Sequence, residues 1–144
     1  MQQLTTNIEI DASASTVWKI LTDFDKYPQW NPFIRSATGE VKKGARLEVQ
    51  LQPPGGSMMT FRPTVLVAEP ERELRWLGRL FLPGIFNGEH CFQIEPLGRD
   101  RIRFVHSEVF CGILVPFLAE SLDTKTKNGF ETMNQALKVR AEKL

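Results

Sequence analysis

Trp18-Lys-Ile-Leu-Thr-Asp-Phe-Asp-Lys-Tyr-Pro-Gln-Trp-Asn-Pro-Phe-Ile34 crowds two tryptophans, a tyrosine, two phenylalanines and two prolines into one short segment. Pro28 and Pro32 each disfavour helix at the residue before them, Tyr27 and Asn31, so the stretch reads as two short helices with a kink between them. Helices this short are marginal in water on their own. Trp18, Leu21, Phe24, Tyr27, Trp30 and Phe33 therefore need a broad partner surface against which to bury their apolar area.

The flanking sequence supplies one. Upstream, Leu4 to Ile10 alternates as a strand, and Asp11-Ala-Ser-Ala-Ser-Thr16 offers hydroxyls to cap the helix that carries Val17, Trp18 and Leu21. Downstream, the segments 36–41, 45–52, 58–69, 72–80, 88–97 and 101–111 mostly alternate, and turn chemistry such as Pro53-Pro-Gly-Gly and Pro96-Leu-Gly-Arg-Asp separates them. Connections this short predict an antiparallel meander, because parallel strands need crossovers of about a dozen residues or more. From about residue 116 to 143, Leu118, Leu122, Phe130, Met133, Leu137 and Ala141 recur near helical spacing and predict one long amphipathic helix. Gly129 inside it costs about 1 kcal/mol relative to alanine, which predicts a bend there or a group that needs close approach to the backbone.

Composition bounds what such a chain does. With 144 residues and 42% apolar content, it fits a single domain over residues 1–144. The formal charge is +1, and the arginines of the middle section are interleaved with acids, which reads as a solvated face and gives no nucleic-acid-binding stripe. No stretch approaches the roughly 20 apolar residues of a membrane span, and the N-terminus lacks the basic start and apolar run of a signal peptide, so the expectation is a cytoplasmic protein without membrane insertion. Cys91 and Cys111 lack CxxC spacing and read as free thiols.

Several separated motifs share one resemblance. Ile10-Asp-Ala, Val17-Trp, Leu21-Thr-Asp, Tyr27-Pro-Gln-Trp-Asn-Pro-Phe, Leu74-Arg-Trp, Gly88-Glu-His-Cys-Phe and His106-Ser-Glu-Val-Phe-Cys-Gly resemble the polyketide cyclase/dehydrase-like branch of the START/Bet v 1-like (SRPBCC) superfamily. The resemblance spans nearly the whole chain. It implies an α+β helix-grip fold: a curved antiparallel sheet of about seven strands wrapped around a long C-terminal helix, with two short helices between strands 1 and 2 and an apolar cavity inside.

Alternation assigns the strand faces independently of that resemblance. The apolar parity carries Leu47, Val49 and Leu51, then Phe61, Val65 and Val67, then Leu74 and Trp76, His90, Phe92 and Ile94, and Ile102, Phe104, His106, Glu108 and Phe110. Trp30, Phe33, Val49, Phe61, Val65, Trp76, Phe92, Phe104, Phe110, Leu122, Phe130 and Met133 are thus the expected lining of a ligand cavity. His90, His106 and Glu108 fall among them as ionisable groups, which suits either acid/base catalysis or a buried hydrogen-bonded set that holds register. Two histidines and a carboxylate are also a metal-ligand set, but His90 need not converge with the other two, so no metal or other cofactor is expected. The Tyr27 to Phe33 segment either plugs one end of the core or, with Met58, Met59 and the apolar Leu80 to Phe86 loop, forms a rim through which a ligand enters.

Three functions compete on these grounds. The leading one is binding of a small apolar ligand, such as a lipid, quinone, isoprenoid or polyketide-like molecule, by a monomer or homodimer. The second is a cyclase or dehydratase using His106, Glu108 and His90. The third is a co-chaperone-like protein-interaction domain that presents the Leu80 to Phe86 loop.

Overall fold

The computed structural model describes residues 2–80 and 84–143, without the side chains of Leu80, Ala119, Ser121, Leu122 and Asp123. Phe81 of the expected apolar loop and the Leu122 side chain of the expected cavity lining lie outside the described residues.

Strand β1 (Gln2–Ile10) leads into helix α1 (Ala14–Thr22), where the Ser13 hydroxyl oxygen accepts the Thr16 N–H at 3.1 Å as an N-cap. A 3-10 turn (Phe24–Lys26) and the one-turn helix α2 (Tyr27–Trp30) follow. Pro28 stands in the first turn of α2, where its missing N–H costs nothing, and Asn31, the residue before Pro32, is extended and ends the helix. Its side chain then shapes the exit: the N–H groups of Phe33 and Ile34 donate to Asn31 Oδ1 at 3.0 and 2.8 Å. Tyr27 is fully buried and donates its hydroxyl proton to the Leu21 carbonyl, so this end of the segment is a core plug and no part of a rim.

The remaining strands are β2 (Ile34–Thr38), β3 (Glu48–Leu51), β4 (Met59–Phe61), β5 (Thr64–Glu69), β6 (Glu73–Leu80), β7 (Phe86–Gly98) and β8 (Arg101–Cys111). They form an antiparallel five-stranded sheet in the order β1-β8-β7-β6-β5 and a three-stranded sheet β2-β3-β4. The expected strand 58–69 is two strands, because Pro63 has no N–H to continue a ladder. The two sheets stay joined through the run before β3: the Leu47 N–H donates to the Pro63 carbonyl and the Val65 N–H to the Ala45 carbonyl, each at 2.8 Å. A bulge between Val65 and Val67 inverts the parity expected for the second half of β5, so Val67 faces Arg75 on the outer side and Ala68 takes the inner place opposite Leu74.

The C-terminal helix covers the concave side. It runs as α3 (Val115–Ser121), a π-helical turn (Leu122–Thr126) and α4 (Lys127–Glu142), and α4 packs against β1 and α1. Phe130, Met133, Leu137 and Ala141 are buried, as is the polar Asn134. Gly129 is the close-approach site: a Cβ there would overlap the Phe33 ring, which stacks edge-on against Phe130 at 5.6 Å. The break in helical winding lies upstream of it, in the π turn. Among the described residues, no helix is long and apolar enough to cross a membrane.

Candidate functional site

A cavity of about 240 Å³ is lined by both sheets and by the α3 and π-turn end of the C-terminal helix. Its apolar walls include Phe33, Val49, Leu51, Met59, Phe61 and Pro63 from the first half of the chain, Trp76, Phe86 and Phe110 from the five-stranded sheet, and Leu118 from α3. Two glycines create the space. Gly78 and Gly88 face each other across β6 and β7 on the same inward parity as Trp76 and His90, and both border the cavity. At Gly78 a Cβ would meet nothing closer than 3.9 Å, so the cavity begins where its side chain would be. At Gly88 a Cβ would instead collide with the Glu108 carboxylate. Gly88 thus lets that carboxylate lie flat against the strand and turn toward the space.

Glu108 starts a line of buried polar groups. Its Oε1 is 3.2 Å from His90 Nδ1, His90 Nε2 is 2.6 Å from His106 Nε2, and His106 Nδ1 is 2.9 Å from Asn134 Oδ1. Asn134 Nδ2 donates to Thr6 Oγ1 at 2.8 Å, and the Thr6 hydroxyl donates to the His106 carbonyl at 3.1 Å. Buried polar groups are costly without partners, and here each finds one across three elements: β1, the β7–β8 pair and α4. Aromatic rings sheathe the line, with Phe130 stacked on His106 at 4.0 Å and Phe92 at 4.7 Å from His90. Burial, and then the neighbouring His90 charge, push the His106 pKa well below its ordinary value of 6.5, against the opposing pull of its Asn134 hydrogen bond.

The three candidate catalytic residues therefore hold different places. Glu108 and His90 border the cavity, while His106 lies behind His90, fully buried and out of the cavity wall. They make a line and not a triangle around one point, and among the described residues no His, Cys, Asp or Glu group has the arrangement of a metal site. Of the expected lining, Phe33, Val49, Phe61, Trp76 and Phe110 border the cavity. Val65, Phe92, Phe104, Phe130 and Met133 are instead buried core residues outside its wall, and the His90 and His106 rings pack directly against Phe92, Phe104 and Phe130. Trp30 points elsewhere, into a surface groove beside Thr132, Ala136 and Val139 of α4, with its ring edge-on to Tyr27 at 5.3 Å.

Sequence reasoning passed over Gly78, Gly88, Asn134 and Thr6. Each left a signal: two glycines on an inward strand parity, an asparagine on the apolar stripe of a helix, and a threonine at an inward position of β1. The outward parity behaves as its charges suggest, with Arg75 between Glu73 and Glu89 and Arg101 and Arg103 on Glu9. Cys91 is the exception on that face, since it is buried beside Arg75 and Ser107, and burial raises its thiol pKa.

A helix-gripping sheet with an interior cavity has many relatives. The family model for polyketide cyclase / dehydrase and lipid transport matches residues 1–142. The chain belongs to this family. Similar solved structures include a START superfamily protein from Mycobacterium smegmatis, with 24% identity and a TM-score of 0.75 over 98% of this chain and 97% of that one. The Zhui aromatase/cyclase from Streptomyces sp. R1128 gives a TM-score of 0.80 at 16% identity, covering 99% and 94% of the two chains. A norcoclaurine synthase point mutant from Thalictrum, solved with a transition-state analogue, gives 0.74 at 14% identity over 99% and 94%. At these identities the likeness is one of fold. No curated protein is matched at the sequence level.

Proposed function

We propose that this polyketide cyclase / dehydrase family member binds a small, largely apolar molecule in the cavity bordered by Phe33, Val49, Phe61, Trp76 and Phe110. The observation that carries this reading is a cavity of about 240 Å³ walled by aromatic and aliphatic side chains, with Glu108 and His90 as its ionisable groups. That is the composition of a binding pocket, and its volume falls just below the roughly 300–1,000 Å³ typical of drug-sized ligand sites, which suits a small molecule. Half-exposed Met59 borders it beside the similarly exposed Met58, and flexible methionines suit an adaptable entrance. Residues 1–144 act as one binding unit, as a monomer or homodimer, and the free thiols Cys91 and Cys111 suit a reducing, cytoplasmic setting.

Native mass spectrometry of gently purified protein tests the proposal, since it reports ligand mass and oligomeric state together. A co-purified apolar molecule, or saturable uptake of an uncharged naphthalene fluorophore that Trp76→Arg abolishes, is the expected result. Failure of every apolar probe to bind would overturn it.

One observation favours a second reading, acid/base chemistry on a polyketide-like substrate: the imidazole of His90 is in contact with a carboxyl group at the cavity wall. In that case Glu108→Gln and His90→Gln abolish turnover while the melting temperature stays within a few degrees. His106 then serves only to orient His90.

A further inference from the structure

The polar line can be counted proton by proton from its buried end. The His106 carbonyl only accepts, so the Thr6 hydroxyl proton is committed to it and Thr6 Oγ1 must accept from Asn134 Nδ2. That orientation turns Asn134 Oδ1, which only accepts, toward His106, and His106 therefore carries its hydrogen on Nδ1. Burial keeps the ring neutral, which leaves Nε2 bare. His90 Nε2 then supplies the hydrogen between the two rings.

At the last contact, His90 Nδ1 and Glu108 Oε1 lie 3.2 Å apart, and two such atoms attract only with one proton between them, whether it rides on the nitrogen or on the oxygen. In both arrangements the second carboxyl oxygen, Oε2, carries no hydrogen. It lies over Gly88 in the cavity wall, and among the described residues nothing donates to it. We infer that Glu108 Oε2 is an obligatory acceptor that selects apolar ligands bearing one hydrogen-bond donor, an alcohol, phenol or N–H. A ligand that offers only an ether, ketone or ester oxygen at that end leaves the carboxyl unpaired in an apolar space. The inference rests on the cavity being the binding site.

Calorimetric titration of the whole protein with 2-naphthol, 2-methoxynaphthalene and naphthalene tests this, using wild type, Glu108→Gln and Glu108→Met, with circular dichroism to establish that each is folded. Wild type should bind 2-naphthol at least about tenfold more tightly than 2-methoxynaphthalene. Glu108→Gln should keep the preference, because its amide N–H donates to His90 Nδ1 and its carbonyl oxygen takes the place of Oε2. Glu108→Met retains length without an acceptor, so it should bring the two affinities within about twofold and bind naphthalene at least as well as wild type does. Equal affinities in wild type, or a preference that survives in Glu108→Met, would overturn the inference while leaving the binding proposal standing. If none of the three binds wild type, the binding proposal falls and the inference with it.

Discussion

Filling the cavity from Gly78 separates its role in binding from its role in stability. A Cβ at this position would have its nearest neighbours, the Gly88 carbonyl oxygen and Pro63 Cβ, 3.9 Å away, and the backbone is not in the left-handed region. A leucine side chain at Gly78 therefore enters the cavity of about 240 Å³ without displacing the sheet. Its four carbons gain about 3 kcal/mol on full burial, and removing a glycine from a strand interior adds about 0.5–1 kcal/mol. Imperfect fit against Trp76 and Phe86 takes back a part, which leaves a net stabilisation of about 1–3 kcal/mol. In a chain of this size that raises Tm by roughly 3–10 °C. The assay pairs thermal unfolding by circular dichroism with titration of an uncharged naphthalene fluorophore, for which Gly78→Leu should lose at least about tenfold in affinity. Gly88→Ala is the contrast. Its methyl group displaces the Glu108 carboxylate and leaves His90 Nδ1 without its partner, so it should cost about 1–3 kcal/mol. A Gly78→Leu protein that is folded and still binds the probe at wild-type affinity would refute the assignment of the cavity as the site. One destabilised by more than about 1 kcal/mol would refute the reasoning that the space is open.

Acid should weaken the fold through His106. Its folded pKa lies below the ordinary 6.5, so as pH falls through that value the unfolded chain takes a proton that the folded chain refuses. The stability is fully present above about pH 6.5 and falls by up to about 1.4 kcal/mol per pH unit below it. Urea midpoints at pH 7.5, 6 and 5 measure the slope, and a flat or rising profile toward acid contradicts the assignment. Gly129→Ala, which in an exposed helix would gain about 1 kcal/mol, should instead cost about 1–3 kcal/mol because its methyl group overlaps the Phe33 ring. Phe33→Leu in the same chain should recover part of the loss, and a stabilised single variant would show that the helix stands further from the sheet. Asn134→Leu strands both the His106 Nδ1–H and the Thr6 hydroxyl oxygen, for an expected loss of about 2–4 kcal/mol in urea unfolding. An effect under about 0.5 kcal/mol would mean that the polar line does not hold α4 to the sheet.

By itself the sequence determined the element order and most of the faces. Period-two alternation places Val49, Phe61, Trp76 and Phe110 on the concave side because successive strand residues point to opposite faces, whatever the strands pack against. The proline positions break the helix between Trp18 and Phe33 because ring closure removes a donor and restricts the residue before it. Only the tertiary structure decided how deep each inward residue lies. His106 and Glu108 share one parity on β8, yet His106 is sealed behind His90 by Phe130 and Asn134 of α4, while Glu108 reaches the cavity because Gly88 on the neighbouring strand has no side chain. The bulge that turns Val67 outward and the turn of α2 that sends Trp30 to the far side of α4 likewise depend on register and helix placement, which local periodicity does not encode. The size of the cavity is of the same kind. It is set by two glycines facing each other across β6 and β7 and by the distance at which Phe33 against Gly129 holds the last helix from the sheet; the first pair depends on hairpin register, and the second joins segments far apart in the chain that meet only once it has folded.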